Sequence, residues 1–500
     1  MVGGTGMAAN GILPHLLNAK GDEYDQVICL ALQVDEKTFA SRTSRTYIPL
    51  SCNLNEKAAV VAGLQKIGSP KITHVYWYAE ANRPPKLASA VMWRRLLAVS
   101  DAMAPALHGL LKVSPQSVHD QLYGTVAYLA GSGRNERNQI WMGNVLDALK
   151  ETGASLQVFM LGTGGKHYGM HLGPSLWSGY QCPFDEDKTK CPGPLSYFDA
   201  QDYIRERAKK DGFTWNEVRP TFIIGLCPEL TLATQSFGIA LATYALIMKA
   251  QGKNLMFPGS VKSYDAKINL CTSEKIAEIA VWSTEGHPNQ AYNVVSCPAF
   301  SWRQVWPKIA KWFGMESVDP IHPLQGENTA LMMGEDAPLI WGHLQKKYDL
   351  VAHDFACLLN NDFLDKSFMA GYDSVFSVDK LRRDGFPEDR VYEYASAADC
   401  MIEFFDRLVD EKIIPEPSNV ISGLYSVDVR KRIETDLEPA YVKGRTQVAS
   451  TIEETKVQTS KADVAEKRVA SDLQSGNVLT LVSELAKLAE EEKQADSSST

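Results

Sequence analysis

Lys166 and Tyr197 are the residues of this chain best placed for proton chemistry. Lys166 lies in MLGTGGKHYGMHLG (160–173), just past an apolar run that reads as a strand. Open parallel α/β sheets hold their ligands at that end of the strands. Tyr197 opens PGPLSYFDAQDYIRERA (192–208), at the start of a predicted helix. In dinucleotide-fold reductases such a pair works together, the phenol polarising a carbonyl while the ammonium assists. The usual short-chain spacing is Tyr-x-x-x-Lys on one helix, and no tyrosine here is followed by a lysine at the fourth position. An ordinary short-chain alcohol dehydrogenase is therefore disfavoured. No His, Cys or Asp cluster has metal-ligand spacing, so no metal is expected. Neither a G-x-S-x-G turn nor a Ser/His/Asp order is present.

A second constellation sits at the start, in MVGGTGMAANGIL. Gly3, Gly6 and Ala9 form G-x-x-G-x-x-A, with Thr5 inside the turn. The two glycines let the chain turn tightly and approach a pyrophosphate, and the small third residue lets the following helix pack on a sheet. The free N–H groups at that helix's start supply the positive end for phosphate. Such a turn should follow a buried strand, yet only Met1 and Val2 precede it. Either the reading frame opens further upstream or the site is impaired; the residues leave both open.

The elements that would position these groups are legible as alternation. DQVICLAL (25–32), THVYWYAE (73–80), LQVFMLGTG (156–164) and NEVRPTFIIG (216–225) read as buried strands. Helix-length segments such as 138–151 and 199–212 lie between them. This pattern predicts an α/β fold, a Rossmann-type doubly wound parallel sheet. From about 265 to 415 the pattern is helical and rich in aromatics, which reads as a smaller, mostly helical substrate lobe over an apolar ligand. The expected division is a dinucleotide-binding domain at 1–265, a covering lobe at 266–415 and a low-complexity, disordered or helical C-terminal tail at 416–500. In the tail, Leu479, Leu481, Leu485 and Leu488 have helical spacing, which leaves a homodimer open. Residues 88–135 break the alternation and read either as a two-helix insertion or as translated non-coding sequence.

At this point the residues resemble a known family. GGKHYG, SYFDAQD, VRPTFIIG and LMFPGSVKSYDAKINLCTSEKIAEIAVWS, in that order, are similar to the progesterone 5β-reductase/iridoid synthase (PRISE) group of atypical short-chain reductases. The likeness spans most of 2–415 apart from 88–135. It implies that Lys166, in the family's G-x-K-H-Y segment, and Tyr197, in its N-F-Y-Y-x-x-E-D segment, are catalytic, although neighbours of Tyr197 differ from the family's. The implied reaction is 1,4-reduction of an enone with NADPH, NADH being the alternative cofactor. Hydride goes to the β-carbon, and the phenol stabilises the developing enolate. The resemblance also implies cofactor contacts. Relatives meet the 2′-phosphate with arginines directly after the second strand, where this chain has Leu32-Gln33. If LQVDEKTF is a small insertion, Arg42 and Arg45 take that role; otherwise they are solvated. Asn53 stands where relatives place an adenine-contacting Asp. His167 and Tyr168 read equally as pocket lining or as buried structure.

Composition narrows the alternatives. A net charge of −9 over 500 residues gives no basic footprint for nucleic acid or an anionic membrane. Nine cysteines without a C-x-x-C pair read as reduced thiols. The longest apolar run, 237–248, is too short to span a bilayer and reads as a buried helix. The N-terminal residues show no basic region followed by an apolar core, so a cytoplasmic location is the expectation; the resemblance implies a small-molecule enone as the substrate. The competing readings are a non-catalytic dinucleotide-binding protein and an extended short-chain enzyme acting on an alcohol or sugar nucleotide.

Overall fold

The computed structural model describes residues 1–3, 6–18, 25–32, 34, 46–79, 136–226, 236–322, 329–351, 355–359, 361–368 and 370–425, with scattered positions at 108–127 and 449–453. Thr5, Arg42, Arg45 and the 478–492 segment lie outside the described residues, as does most of 88–135.

The central sheet contains two parallel runs of strands. Strand β1 (Gln26–Ala31) pairs in parallel with β2 (Thr46–Ser51). Strands β3 (His74–Trp77), β4 (Val158–Gly162) and β5 (Thr214–Pro220) form a second parallel run. Val2 joins the two runs, bridging Leu30 on one side and Trp77 on the other. Its N–H donates to Tyr76 O at 2.8 Å, and its carbonyl accepts from Tyr78 N at 2.9 Å. Val2 therefore occupies the central position that the glycine turn requires. Toward the N-terminal ends of β1 and β3 that position opens into a cavity of about 550 Å³, walled by Val27, Ile28, Val75 and Tyr76.

After β5 come β6 (Phe222–Ile224), β7 (Leu255–Met256), β8 (Leu270–Thr272), β9 (Gln290–Val294) and β10 (Ser317–Val318). β6 pairs with β8, and β7 with β10. β9 adds to β5 in parallel, Asn216 facing Gln290, so the main sheet draws on residues beyond 265. QAYNV gives no apolar run to reveal the strand, because Gln290 and Asn293 break it. β2 also escaped notice. Pro49 interrupts its run, and a proline is tolerated there because β2 is the edge strand.

The eight longer helices that matter here are α1 (Met7–Asn18), α2 (Lys57–Lys66), α3 (Glu136–Glu151), α4 (Ser196–Asp211), α5 (Phe237–Ala250), α6 (Ser273–Thr284), α7 (Trp302–Trp312) and α8 (Ala397–Asp410). Side chains alternate across the strands, as a pleat requires. Leu30, Trp77, Phe159 and Leu161 pack with α2, α3 and α4 on one face. Cys29, Tyr76, Met160 and Val218 pack with α1 and α6 on the other. This is the doubly wound arrangement. On the second face α1 crosses α6 at Gly11, where an added Cβ would lie 2.0 Å from the Ser273 carbonyl oxygen. The Gly11→Ala variant should accordingly lose about 3 kcal/mol, the upper range for overpacking, since backbone must yield. A urea midpoint equal to wild type would refute this.

The remaining core gathers around α5, every residue of which is buried. A helix apolar on all sides belongs inside a protein. Its one charge, the Lys249 ammonium, donates to Phe313 O and Pro417 O, both at 2.7 Å. The chain beyond 416 continues this packing: Val420 is buried and Tyr425 N donates to Ala250 O at 2.9 Å. Among the described residues no helix is long and apolar enough to cross a membrane. The aromatics of 300–314 and 339–376 are mostly core. Trp302 and Phe368 have ring centres 5.1 Å apart, and Trp306, Trp341 and Phe368 are all buried. They fill the lobe, contrary to their expected role as the lining of an apolar ligand site.

Candidate active site

The C-terminal ends of β1, β3, β4 and β5 converge on one cleft of about 640 Å³. This volume lies within the range of small-molecule and cofactor sites. Gly3 and Gly6, Asn53 and Trp141, and Tyr197 with Pro220 and Ile223 are all among its lining residues. The structure thus brings the glycine turn, Asn53 and Tyr197 together across residues widely separated in sequence.

Gly3 holds φ +78°, the left-handed region, and a Cβ there would lie 2.5 Å from Ala79 N. Gly6 meets only the Gly3 carbonyl, at 3.4 Å from an added Cβ. This is the bare, close backbone cradle that a pyrophosphate needs ahead of the N-terminus of α1. Ala9 lies in α1, but its side chain is outside the described atoms; the tight helix approach is made two residues later, at Gly11. Asn53 turns its side chain into its own loop. Its Oδ1 accepts from Asn55 N at 3.1 Å and its Nδ2 donates to Glu56 Oε1 at 2.9 Å. Leu32, exposed at the cleft rim after β1, stands where a residue selecting the ribose would be.

Tyr197 occupies the first turn of α4 and is half-buried. Its hydroxyl sits against Gly164, where an added Cβ would lie 3.4 Å from the oxygen and 3.3 Å from Pro220 O. Lys166 lies two residues further along, on a 3₁₀ turn, Gly165–Tyr168, that leaves β4. It is half-buried and is not among the residues lining the cleft. His167 and Tyr168 are buried structure.

Beneath these residues lies a buried polar network that the sequence reading did not anticipate. Glu217 and Arg219 are side-chain neighbours on β5, both nearly inaccessible, and Arg219 Nε meets Glu217 Oε1 at 2.9 Å. Their i, i+2 spacing within a buried strand was the available signal, because such a pair shares one face. Glu217 Oε1 also accepts from Thr163 Oγ1 at 2.5 Å and Gln201 Nε2 at 2.7 Å. Burial alone would raise the Glu217 carboxyl, but the guanidinium and these donors hold it well below its ordinary value. Arg219 reaches on to Tyr168 Oη at 3.1 Å, and Tyr168 donates to Asn293 Oδ1 at 2.6 Å. Burial, with Arg219 as the next cause, pushes His167 down to about 3, so it is neutral at physiological pH.

Glu186 accepts from Asn293 N at 2.8 Å, and burial pushes its carboxyl up to about 7. A folded-state value above the unfolded one means that Glu186 favours the fold at acid pH, and that this contribution is lost as pH rises through about 7. Glu186→Gln keeps the acceptor and cannot ionise. Its stability relative to wild type should rise between about pH 5 and about pH 8, by up to about 3 kcal/mol. Thermal melts of both proteins across that range provide the check, and a constant difference would refute it.

Most of the 88–135 segment lies outside the described residues, but Tyr123 is helical and buried, and its hydroxyl donates to Leu176 O at 3.4 Å. Among the described residues no group of His, Cys, Asp or Glu has the arrangement to hold a metal ion.

Named proteins resemble this chain in sequence. An (S)-8-oxocitronellyl enol synthase of Catharanthus roseus is 27% identical over 288 residues, covering 57% of this chain and 72% of that protein. A 3-oxo-Delta(4,5)-steroid 5-beta-reductase of Arabidopsis thaliana is 29% identical over 222 residues, covering 43% of this chain and 55% of its own length. Among solved structures, UDP-glucose 4-epimerase of Thermotoga maritima covers 82% of this chain at 12% identity and a TM-score of 0.46, a likeness too slight to bear on chemistry. The pattern described as a PRISE-like Rossmann-fold domain matches residues 117–415. Spanning more than half of its length, that match, together with the doubly wound sheet beneath it, places the chain in the PRISE-like Rossmann-fold family.

Proposed function

We propose that this protein is an NADPH-dependent reductase of an activated carbon–carbon double bond, acting by 1,4-reduction of a small enone. The observation that carries the reading is one cleft lined both by the glycine cradle and by Tyr197. The bare approach at Gly3, where a Cβ would strike Ala79, fits a dinucleotide pyrophosphate. Bound there, the reduced nicotinamide supplies the hydride for the β-carbon. Tyr197 donates a hydrogen bond to the substrate carbonyl oxygen and stabilises negative charge as it gathers there, as an oxyanion hole does. Tyr197 passes its phenolic proton to that oxygen, giving the enol; a proton taken up from solvent at the α-carbon and loss of the O–H proton then complete the saturated ketone. Lys166, on the turn below Gly164, favours the phenolate that remains. The relatives named above support this choice of substrate class. The division into a dinucleotide-binding part and a covering helical lobe belongs to the same proposal.

The test combines fluorescence titration with NADPH and NADH and a turnover assay. Cyclohex-2-enone and a 3-oxo-Δ4-steroid serve as probes, with loss of reduced nicotinamide followed optically and the saturated ketone identified by mass. The expected result is tight NADPH binding and an enone-dependent oxidation. Dinucleotide binding with no turnover of either probe, or turnover confined to alcohols or sugar nucleotides, would overturn it.

A further inference from the structure

Gln201 stands one helical turn beyond Tyr197 on α4, and His167 directly follows Lys166. Side chains four apart on a helix share a face, so Gln201 lies beside Tyr197 and below it. Its amide nitrogen donates to Glu217 Oε1 at 2.7 Å and to His167 Nδ1 at 3.0 Å. His167 is held twice more: its carbonyl accepts from Cys191 N at 3.0 Å, and its ring meets Phe198 edge-on at 5.3 Å. Phe198 is the residue after Tyr197. The sequence neighbours of Tyr197 and Lys166 are thus fastened to each other.

We infer that Gln201, His167 and Glu217 are positioning residues that fix the Tyr197 helix against the Lys166 turn; the inference rests on the roles given to Tyr197 and Lys166 above. The chemistry of the amide makes the arrangement directional. Glu217 is ionised and accepts only, so the Gln201 nitrogen must face it; the reversed amide would set oxygen against carboxylate. Both N–H groups are then used, one on Glu217 and one on His167. Gln201 Oε1 is left buried with no partner, which shows that the nitrogen side governs the orientation. His167 must accept at Nδ1, so its own proton sits on Nε2 and the ring is neutral. A neutral imidazole leaves the Lys166 ammonium without a second cation beside it on the same turn. Glu217 is in turn fixed by Arg219 and Thr163, on rigid strand ends, so the spacing is set from the sheet.

The test uses the full chain and the variants Gln201→Met, His167→Leu, His167→Asn and Tyr197→Phe. Met and Leu keep bulk but lose the hydrogen bond; Asn keeps an acceptor near the Nδ1 position. With NADPH and cyclohex-2-enone, Q201M and H167L should lose about 10- to 100-fold in kcat, the scale of a small misplacement. Their NADPH affinity by fluorescence titration should equal that of wild type, and H167N should recover most of the rate. A second measurement needs no turnover. The imidazole nitrogen NMR spectrum should show His167 as the neutral Nε2–H tautomer, and Q201M should release it to the Nδ1–H form. Wild-type kcat in Q201M, a loss shared equally with NADPH affinity and not rescued by H167N, or an unchanged tautomer in Q201M would each overturn the inference. A Tyr197→Phe enzyme with wild-type turnover would instead overturn the reading of Tyr197. An inactive Y197F beside a fully active Q201M would sink only the positioning role.

Discussion

Exchanging Tyr197 for phenylalanine should lower turnover of cyclohex-2-enone by about a hundred- to a thousandfold, the usual effect of removing one donor from an oxyanion site. NADPH affinity and the melting temperature should stay as in wild type. The Tyr197 ring is half-buried in the first turn of α4, and phenylalanine keeps that ring in place. Only the hydroxyl is lost, and it is the hydroxyl that lies by Gly164 and the Pro220 carbonyl in the cleft. A donor that meets charge only as it develops contributes to kcat far more than to binding. Steady-state kinetics beside a fluorescence titration separates the two. A Y197F enzyme with unreduced kcat would remove the phenol from the mechanism.

Gly3→Ala should be nearly as damaging, by another route. The backbone there is left-handed, which costs an L side chain roughly 1–2 kcal/mol. The new methyl would also press on Ala79 N and the Tyr78 carbonyl carbon, 2.5 and 2.7 Å away, both backbone of the strand end that Val2 pairs with. Overpacking of this kind adds about 1–3 kcal/mol. Dinucleotide affinity should fall about a hundredfold or more, and the melting temperature should fall with it. Gly6→Ala is the informative contrast. Its methyl meets nothing closer than the Gly3 carbonyl, at 3.4 Å. The fold should tolerate it, while a phosphate closing on that backbone should not. Loss of affinity without loss of stability in G6A, against loss of both in G3A, would locate the pyrophosphate over Gly6. Equal behaviour of the two variants would argue against it.

Much of this architecture could be read from apolar runs alone. Strands β1, β3 and β4 announce themselves because parallel strands are buried on both faces and need no polar alternation. What escaped detection was short or broken. β9 is a five-residue strand broken by Gln290 and Asn293, and β2 carries a proline that an edge position permits. In the site, the glycine turn and Tyr197 were legible as residue types in a recognisable order, and the structure sets them around one cleft. The network of Glu217, Arg219, Gln201 and His167 was not, because its members come from a strand, a helix and a turn far apart in sequence. Such a network is defined by tertiary contact, and single charges inside apolar runs are its only trace. The aromatics misled for a related reason. A tryptophan-rich segment looks the same whether it lines a pocket or fills a core, and only burial distinguishes them.

That burial has an optical consequence. Trp302, Trp306 and Trp341 sit inside the lobe, whereas Trp77 and Trp141 border the cleft, Trp141 with its indole N–H on Asn55 Oδ1 at 2.8 Å. These two groups therefore contribute differently to the intrinsic emission of the ten tryptophans. The lobe indoles are sealed from water and report on melting of the helical core. The cleft indoles stand within reach of any reduced nicotinamide that enters, whose absorption overlaps their emission, so energy transfer should quench them selectively. Removing Trp141 should dim the binding signal while the lobe indoles go on reporting unfolding.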